Sequence, residues 1–427
     1  MAMVCVKELL AGFCIVSGLF AAEKLSTPDL LALARAKPES AELRDALRVS
    51  FKEDALTKGF AVTGVGPSFL WAIESATQPQ LVVNDQPLGA MHRLPDSNLW
   101  FQVADVRTGE AHLFFYRIDS KATPPGDIPA YGPDSYPRPG VPEGRISEKL
   151  IHSSKVYPGM ISEYWIYTPP NYNPEIALPL MVWQDGYALA PRMGPMRLSV
   201  VTENLIHQKK IPPMIHVMIS AGMTGEKRMR SIQYDTMDGT FARYLLDEIL
   251  TEVEKKYKLR SDAYSRAIAG MSSGAVCAFN VAWNPVNRFS RVVSYIGSYT
   301  AIGWRTGQAD PKDNLDGGNV YPFRVRKEPR RNLRVWLDDG AEDIESRDGS
   351  WPLQNIQMAN SLKLAGYDFY FHFGPGVHSL SSAGASLPQA LAWLWRGYDP
   401  QKTEETYQQE ESEKSKPLFR VKLANRN

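Results

Sequence analysis

The spacing of apolar residues changes near residue 150 and divides the chain into two kinds of structure. Before that point, residues 69–73, 80–83, 99–103 and 112–117 are short apolar runs separated by turn residues, the intervals of an Ig-like β-sandwich. Beyond it, the apolar runs at 180–183, 215–219, 266–269, 291–296 and 334–337 alternate with helical patterns. Such alternation predicts a doubly wound, mostly parallel sheet. Phe241, Leu245, Leu246, Ile249, Leu250 and Val253 lie on one helical face and predict a crossover helix. Ahead of the sandwich, Thr27-Pro28-Asp29 opens a pair of short amphipathic helices. The expected organisation is a leader at 1–22, helices at 23–60, the sandwich at 61–121, a Pro/Gly-rich linker at 122–150, the larger α/β domain at 151–400 and a charged, disordered tail at 401–427.

Composition adds little to this outline. With 427 residues, 44% hydrophobic and a net charge of +1, the chain can fill two cores and has no charge excess with which to bind nucleic acid. Residues 1–21 hold one lysine and an apolar stretch too short to favour a stable membrane span, followed by Ala21-Ala22, so a secretory signal peptide and a secreted or periplasmic location are expected. Cys5 and Cys14 lie in that leader, and Cys277 reads as core packing. No cofactor or metal is expected: residues 310–317 resemble a calcium loop only superficially, because their oxygen ligands fall out of register.

The chemistry concentrates at Arg266-Ala267-Ile268-Ala269-Gly270-Met271-Ser272-Ser273-Gly274-Ala275, a strand, a G-x-S-x-G turn and a helix start. That turn lifts a serine hydroxyl above a sheet edge, and the amide of the following residue faces any oxyanion formed there. Ser272 is therefore the candidate nucleophile and the Ser273 amide half of an oxyanion hole. A serine needs an imidazole and a carboxylate, and both follow. Of seven histidines, only His378 sits in a loop after a strand and downstream of an acidic loop. His216 and His372 lie within strands, and His92, His112, His152 and His207 are poorly placed. Asp343 is the preferred acid, with Glu342, Asp339 and Asp338 open as alternatives. The order serine, acid, histidine is that of α/β-hydrolases.

Further residues carry a family resemblance. The strand-and-turn Glu163-Tyr164-Trp165-Ile166-Tyr167-Thr168-Pro169-Pro170-Asn171-Tyr172, the strand from Leu178 ending in Asp185-Gly186, and the loop Arg230-Ser231-Ile232-Gln233-Tyr234-Asp235 resemble the putative-esterase family of α/β-hydrolases. That family includes enterochelin, feruloyl and acetylxylan esterases. Gln233 stands where the family has glutamate, and Ala275 where many members have a second glycine. The resemblance implies an α/β-hydrolase fold preceded by an early-set Ig-like domain, and a second oxyanion amide at Gly186 or Tyr187. Substrate contacts are expected from Arg230, Tyr234 and Trp304, with Arg192, Arg197 and Arg324 as further cations. The implied activity is that of a serine carboxylic-ester hydrolase acting on a small-molecule or polysaccharide ester. Carbohydrate-linked feruloyl or acetyl esters are the first expectation and a siderophore trilactone the second; a carbohydrate-binding protein on an inactive hydrolase scaffold is the competing reading. Trp71 and Trp100 are expected in the sandwich core.

Overall fold

The computed structural model describes residues 24–284, 287–304 and 317–421. The expected leader, with Cys5 and Cys14, and most of the calcium-like loop lie outside the described residues.

Three helices, Thr27–Ala36, Ala41–Ser50 and Glu53–Lys58, replace the expected pair. Ser26 and Ser40 cap the first two through their hydroxyls, satisfying amides that the first helical turn leaves unpaired. Leu30, Leu31, Leu43 and Leu47 pack onto one face of an antiparallel sheet built on Ala61–Val65, Ser68–Glu74 and Leu99–Asp105. The opposite face supplies Trp71, Ile73 and Trp100 to a shared core with Leu81, Phe114, Tyr116 and Ile128 of a second antiparallel sheet. Trp71 and Trp100 are thus core residues, as expected. The second sheet extends into the expected linker: Gly126–Ala130 pairs antiparallel with Glu110–Ile118. Pro129 had disguised it, since proline is tolerated only where no ladder hydrogen bond is required of it.

The large sheet orders its main strands Ile161–Thr168, Ile215–Ile219, Leu180–Gln184, Arg266–Met271, Arg291–Tyr295, Arg334–Glu342 and Asp368–Val377. The first is antiparallel to its neighbour and every later pairing is parallel. Alternate residues of the elbow strand feed opposite layers, with Ile268 in one core and Ala267, Ala269 and Met271 in the other. The crossover helix is continuous from Thr240 to Glu254 but widens to a π-turn over Tyr244–Ile249. There Glu248 accepts the Lys155 and Val156 amides and the Ser154 hydroxyl.

Chain order reverses between Leu180–Gln184 and Arg266–Met271, the topological switch at which open α/β sheets form their binding crevice. Backbone strain gathers at the same rim. The residues directly after three adjacent strands, Asp185, Ser272 and Ile296, have φ of 57°, 57° and 45°. Such conformations persist in non-glycine residues only where surrounding structure imposes them.

The two domains are bonded together. Tyr131 donates to the Pro195 carbonyl at 2.6 Å, the Arg197 guanidinium sits 3.6 Å from the Tyr131 ring centroid, and the Ser382 hydroxyl donates to Asp127. The tail departs from its expected disorder. Tyr407 is buried, with the guanidinium carbons of Arg334 and Arg291 4.4 and 5.3 Å from its ring, and Phe419 packs on Phe371. Isolated aromatics in a charged run found partners that lie far away along the chain.

Candidate active site

The elbow shows why its glycines are required. A Cβ on Gly270 would stand 2.1 Å from the Gly274 carbonyl oxygen, and one on Gly274 would stand 2.9 Å from Gln184 Cβ. Only hydrogen fits at either position, so strand and helix close tightly and force Ser272 to φ 57°, ψ −126°. The strained turn is anchored on both sides. Ser272 N donates to the Tyr295 carbonyl at 3.0 Å, and Ser298 N donates to the Ser272 carbonyl at 3.2 Å.

Asp343 meets His378: Nδ1 lies 2.5 Å from Asp343 Oδ1. The Asp343 side chain is fully buried and Oδ1 also accepts the Ile344 amide. Burial opposes its charge, but hydrogen bonds from His378 and Asp339 outweigh that and hold its carboxyl below the usual range. Asp338 instead bonds His372 Nδ1 at 2.7 Å, Asp339 lies against Asp343, and Glu342 is exposed. Of the four candidate carboxylates, Asp343 is the one bonded to His378.

No hydrogen bond joins Ser272 to His378 among the described residues; the two are linked through Ser298 and Trp351, a patch that sequence reasoning missed. Ser272 Oγ lies 3.2 Å from Ser298 Oγ, which accepts the Trp351 indole N–H at 3.1 Å. The Trp351 ring stands edge-on to His378, with centroids 6.0 Å apart. The hydroxyl's resting partner is therefore Ser298, and a rotation about χ1 is what would turn it to another acceptor. Gly297-Ser298 directly after an apolar strand was the available signal, yet nothing local in sequence ties it to Ser272.

The two amides expected as the second oxyanion donor differ in their surroundings. Tyr187 N donates to Ser220 Oγ at 3.0 Å, so that amide is engaged within the fold. A side chain at Gly186 would collide with the Met218 carbonyl at 2.4 Å. The Tyr187 and Trp304 side chains are exposed.

Two expected substrate contacts have partners within the fold. Arg230 forms a two-point ion pair with Asp185, at 3.0 and 2.8 Å, bracing the loop that carries Gly186. Tyr234 is completely buried, edge-on to Phe241, with its hydroxyl accepting the Asp185 amide at 3.4 Å. Both hold Asp185, next to Gly186. The other candidate cations are engaged too: Arg192 by Glu203, Arg197 by Tyr131 and Tyr136, and Arg324 by Glu328. Cys277 is buried in the elbow helix, where burial pushes its thiol well above the usual range. His216 is buried between Trp183 and Thr202 and is kept neutral, its pKa brought down to about 3 by desolvation.

A strained serine elbow at a topological switch, with a histidine–aspartate pair at the same rim, defines a hydrolase-type site on an α/β-hydrolase fold. Residues 162–394, more than half of the chain, match the putative esterase family, and the protein belongs to that family of carboxylic ester hydrolases. The chain is 25% identical over 241 residues to an iron(III) enterobactin esterase of Dickeya dadantii, covering 56% of this chain and 52% of that one. It is 27% identical over 158 residues to an endo-1,4-beta-xylanase/feruloyl esterase of Xylanibacter ruminicola, covering 35% of this chain and 21% of that one. It thus spans about half of the first relative and a fifth of the second. In fold it is similar to the enterobactin esterase of Shigella flexneri crystallised with enterobactin, with a TM-score of 0.54, 16% identity, and coverage of 84% of this chain and 99% of that one. No helix among the described residues is long and apolar enough to cross a membrane.

Proposed function

We propose that this protein hydrolyses carboxylic esters through an acyl-enzyme on Ser272. The His378–Asp343 hydrogen bond of 2.5 Å, at the rim that carries the elbow, is the observation on which the reading rests. His378 Nε2 takes the Ser272 proton as the hydroxyl attacks the ester carbonyl, and Asp343 orients the imidazole and stabilises the imidazolium. The Ser273 and Gly186 amides receive the oxyanion. His378 then returns its proton to the leaving alcohol, and water repeats the sequence on the acyl-enzyme.

For the substrate, the reading is a carbohydrate-linked feruloyl or acetyl ester. The feruloyl esterase relative supports it, and the exposed rings of Tyr187 and Trp304 suit a planar acyl or sugar face. A siderophore trilactone is the second reading, supported by the longer match to the enterobactin esterase. A fluorophosphonate probe tests the chemistry: covalent modification of wild-type protein, lost in Ser272→Ala, is expected. Polysaccharide binding without labelling would instead favour a binding protein on an inactive scaffold. Relative kcat/KM on feruloyl, acetyl and trilactone esters decides between the two substrates.

A further inference from the structure

Behind the His378–Asp343 pair lies a second carboxyl group that the mechanism above does not use. Asp339 is almost completely buried on the strand that leads to Asp343, and a turn closed by Asp343 N on the Gly340 carbonyl at 3.2 Å folds the two side chains together. Asp339 Oδ1 accepts the Gly340 amide at 2.9 Å. Asp343 Oδ1 is taken by His378 and Ile344. The remaining oxygens, Asp339 Oδ2 and Asp343 Oδ2, are both buried and receive no N–H or hydroxyl donor from other described residues. Two acceptor-only atoms cannot satisfy one another, whereas a single proton between them converts two unpaired groups into one charge-assisted hydrogen bond.

We propose that Asp339 is a positioning residue that carries a proton and donates it to the far oxygen of Asp343, locking the rotation of the carboxylate that orients His378. This rests on the triad reading given above.

The surroundings decide which of the two holds the proton. Asp343 faces the imidazole of His378. Asp339 faces Asp343 and Asp338 on its own strand and loop; His372 from the last strand and Asp85, Arg107 and Glu110 from the N-terminal domain line the same cleft of about 300 Å³. Asp338 holds His372, and Glu110 holds Arg107 in a two-point pair, so neither cation is left to Asp339. Burial, then the neighbouring Asp343, push the Asp339 carboxyl well above the usual range. With both oxygens of Asp343 occupied, its carboxylate has one orientation, and that orientation fixes the imidazole. On deprotonation the pair carries two like charges in a buried site and the lock is lost.

The test is kcat and KM across pH for wild type, Asp339→Asn and Asp339→Ala, together with infrared spectra of the folded proteins. A carboxamide can still donate to Asp343 and accept from Gly340, so Asp339→Asn is expected to keep kcat within about threefold of wild type. Asp339→Ala is expected to lose at least about tenfold in kcat with KM unchanged. Wild type should lose kcat on the alkaline side as Asp339 ionises, and Asp339→Asn should lack that limb. Wild type should also show a protonated-carboxyl band at neutral pH that Asp339→Asn removes. Equal kcat in the alanine and asparagine variants, an alkaline limb unchanged in Asp339→Asn, or no such band would overturn the proposal. The band does not depend on turnover. If wild type proved unreactive to fluorophosphonate and inactive on esters, the triad reading would fail while the infrared spectra still decided whether Asp339 is protonated.

Discussion

The same two strands carry two histidine–aspartate pairs, and they differ in what stands in front of them. His378–Asp343 and His372–Asp338 both join Nδ1 to a carboxylate, at 2.5 and 2.7 Å, and both imidazoles are 23% exposed. His372 lies six residues earlier, directly opposite Asp338 in the strand register, and looks into the cleft between the two domains. Its aspartate also receives the Ser386 hydroxyl at 2.8 Å, and its ring stacks on Trp336 at 6.2 Å. His378 lies past the last paired residues, edge-on to Trp351, whose indole reaches the serine bonded to Ser272. An oriented imidazole is therefore common to both pairs. Only one shares a rim with a strained serine and the helix start that follows it, and chemistry follows from that neighbourhood.

The sharpest way to break this comparison is to remove each imidazole in turn. His378→Ala should lower kcat/KM on p-nitrophenyl acetate by about 10⁴-fold, whereas His372→Ala should stay within about threefold. Equal losses would mean that the cleft pair takes part in the reaction. The acids should follow the same split at a smaller scale: Asp343→Asn should cost about 10³-fold in kcat, and Asp338→Asn less than about tenfold.

The comparison also separates what sequence could tell from what it could not. Ser272 and His378 were legible because G-x-S-x-G needs two glycines for a steric reason and because few histidines follow an acidic loop. The acid was not. Asp338, Asp339, Glu342 and Asp343 share one short run, and the strand, expected to end near Asp338, continues to Glu342. Register assigns Asp338 to His372, a pairing between strands that local pattern does not encode. The Asp185 partners of Arg230 and Tyr234 were not legible for a related reason: a family motif marks residues without saying what they touch within the fold. Tyr407 was hidden by composition, since its arginine partners lie in strands far upstream.

If position at the elbow is what distinguishes the active pair, loosening the elbow's support should disable it without touching either histidine. Arg230→Gln leaves Asp185 buried with half its ion pair gone, and a loss of about 3 kcal/mol in unfolding free energy is expected from urea titration. Activity should fall with it, because the Asp185 loop carries Gly186. Adding Asp185→Asn removes the unpaired charge, so the double variant should recover part of the stability. A single variant as stable as wild type would show that the ion pair does not hold the rim.

The smallest expected effect concerns the cleft pair, where the contribution is to stability and has a definite sign with pH. Burial disfavours the charge on His372, but the hydrogen bond and charge of Asp338 outweigh it, with Glu110 adding and Arg107 opposing, so the pKa is raised from 6.5. A histidine whose folded value exceeds its unfolded value adds stability that is complete below the unfolded value and disappears as pH rises through the folded one. Wild type should therefore exceed His372→Asn in unfolding free energy by about 1 kcal/mol more at pH near 5.5 than at pH near 8.5, the size being limited by the partly exposed ring. Turnover at the two pH values should not track this difference, because the pair lines the cleft between the domains and has no bond to the serine. A stability gap that widened toward alkaline pH would mean that His372 folds as neutral imidazole, and the likeness between the two pairs would then end at their geometry.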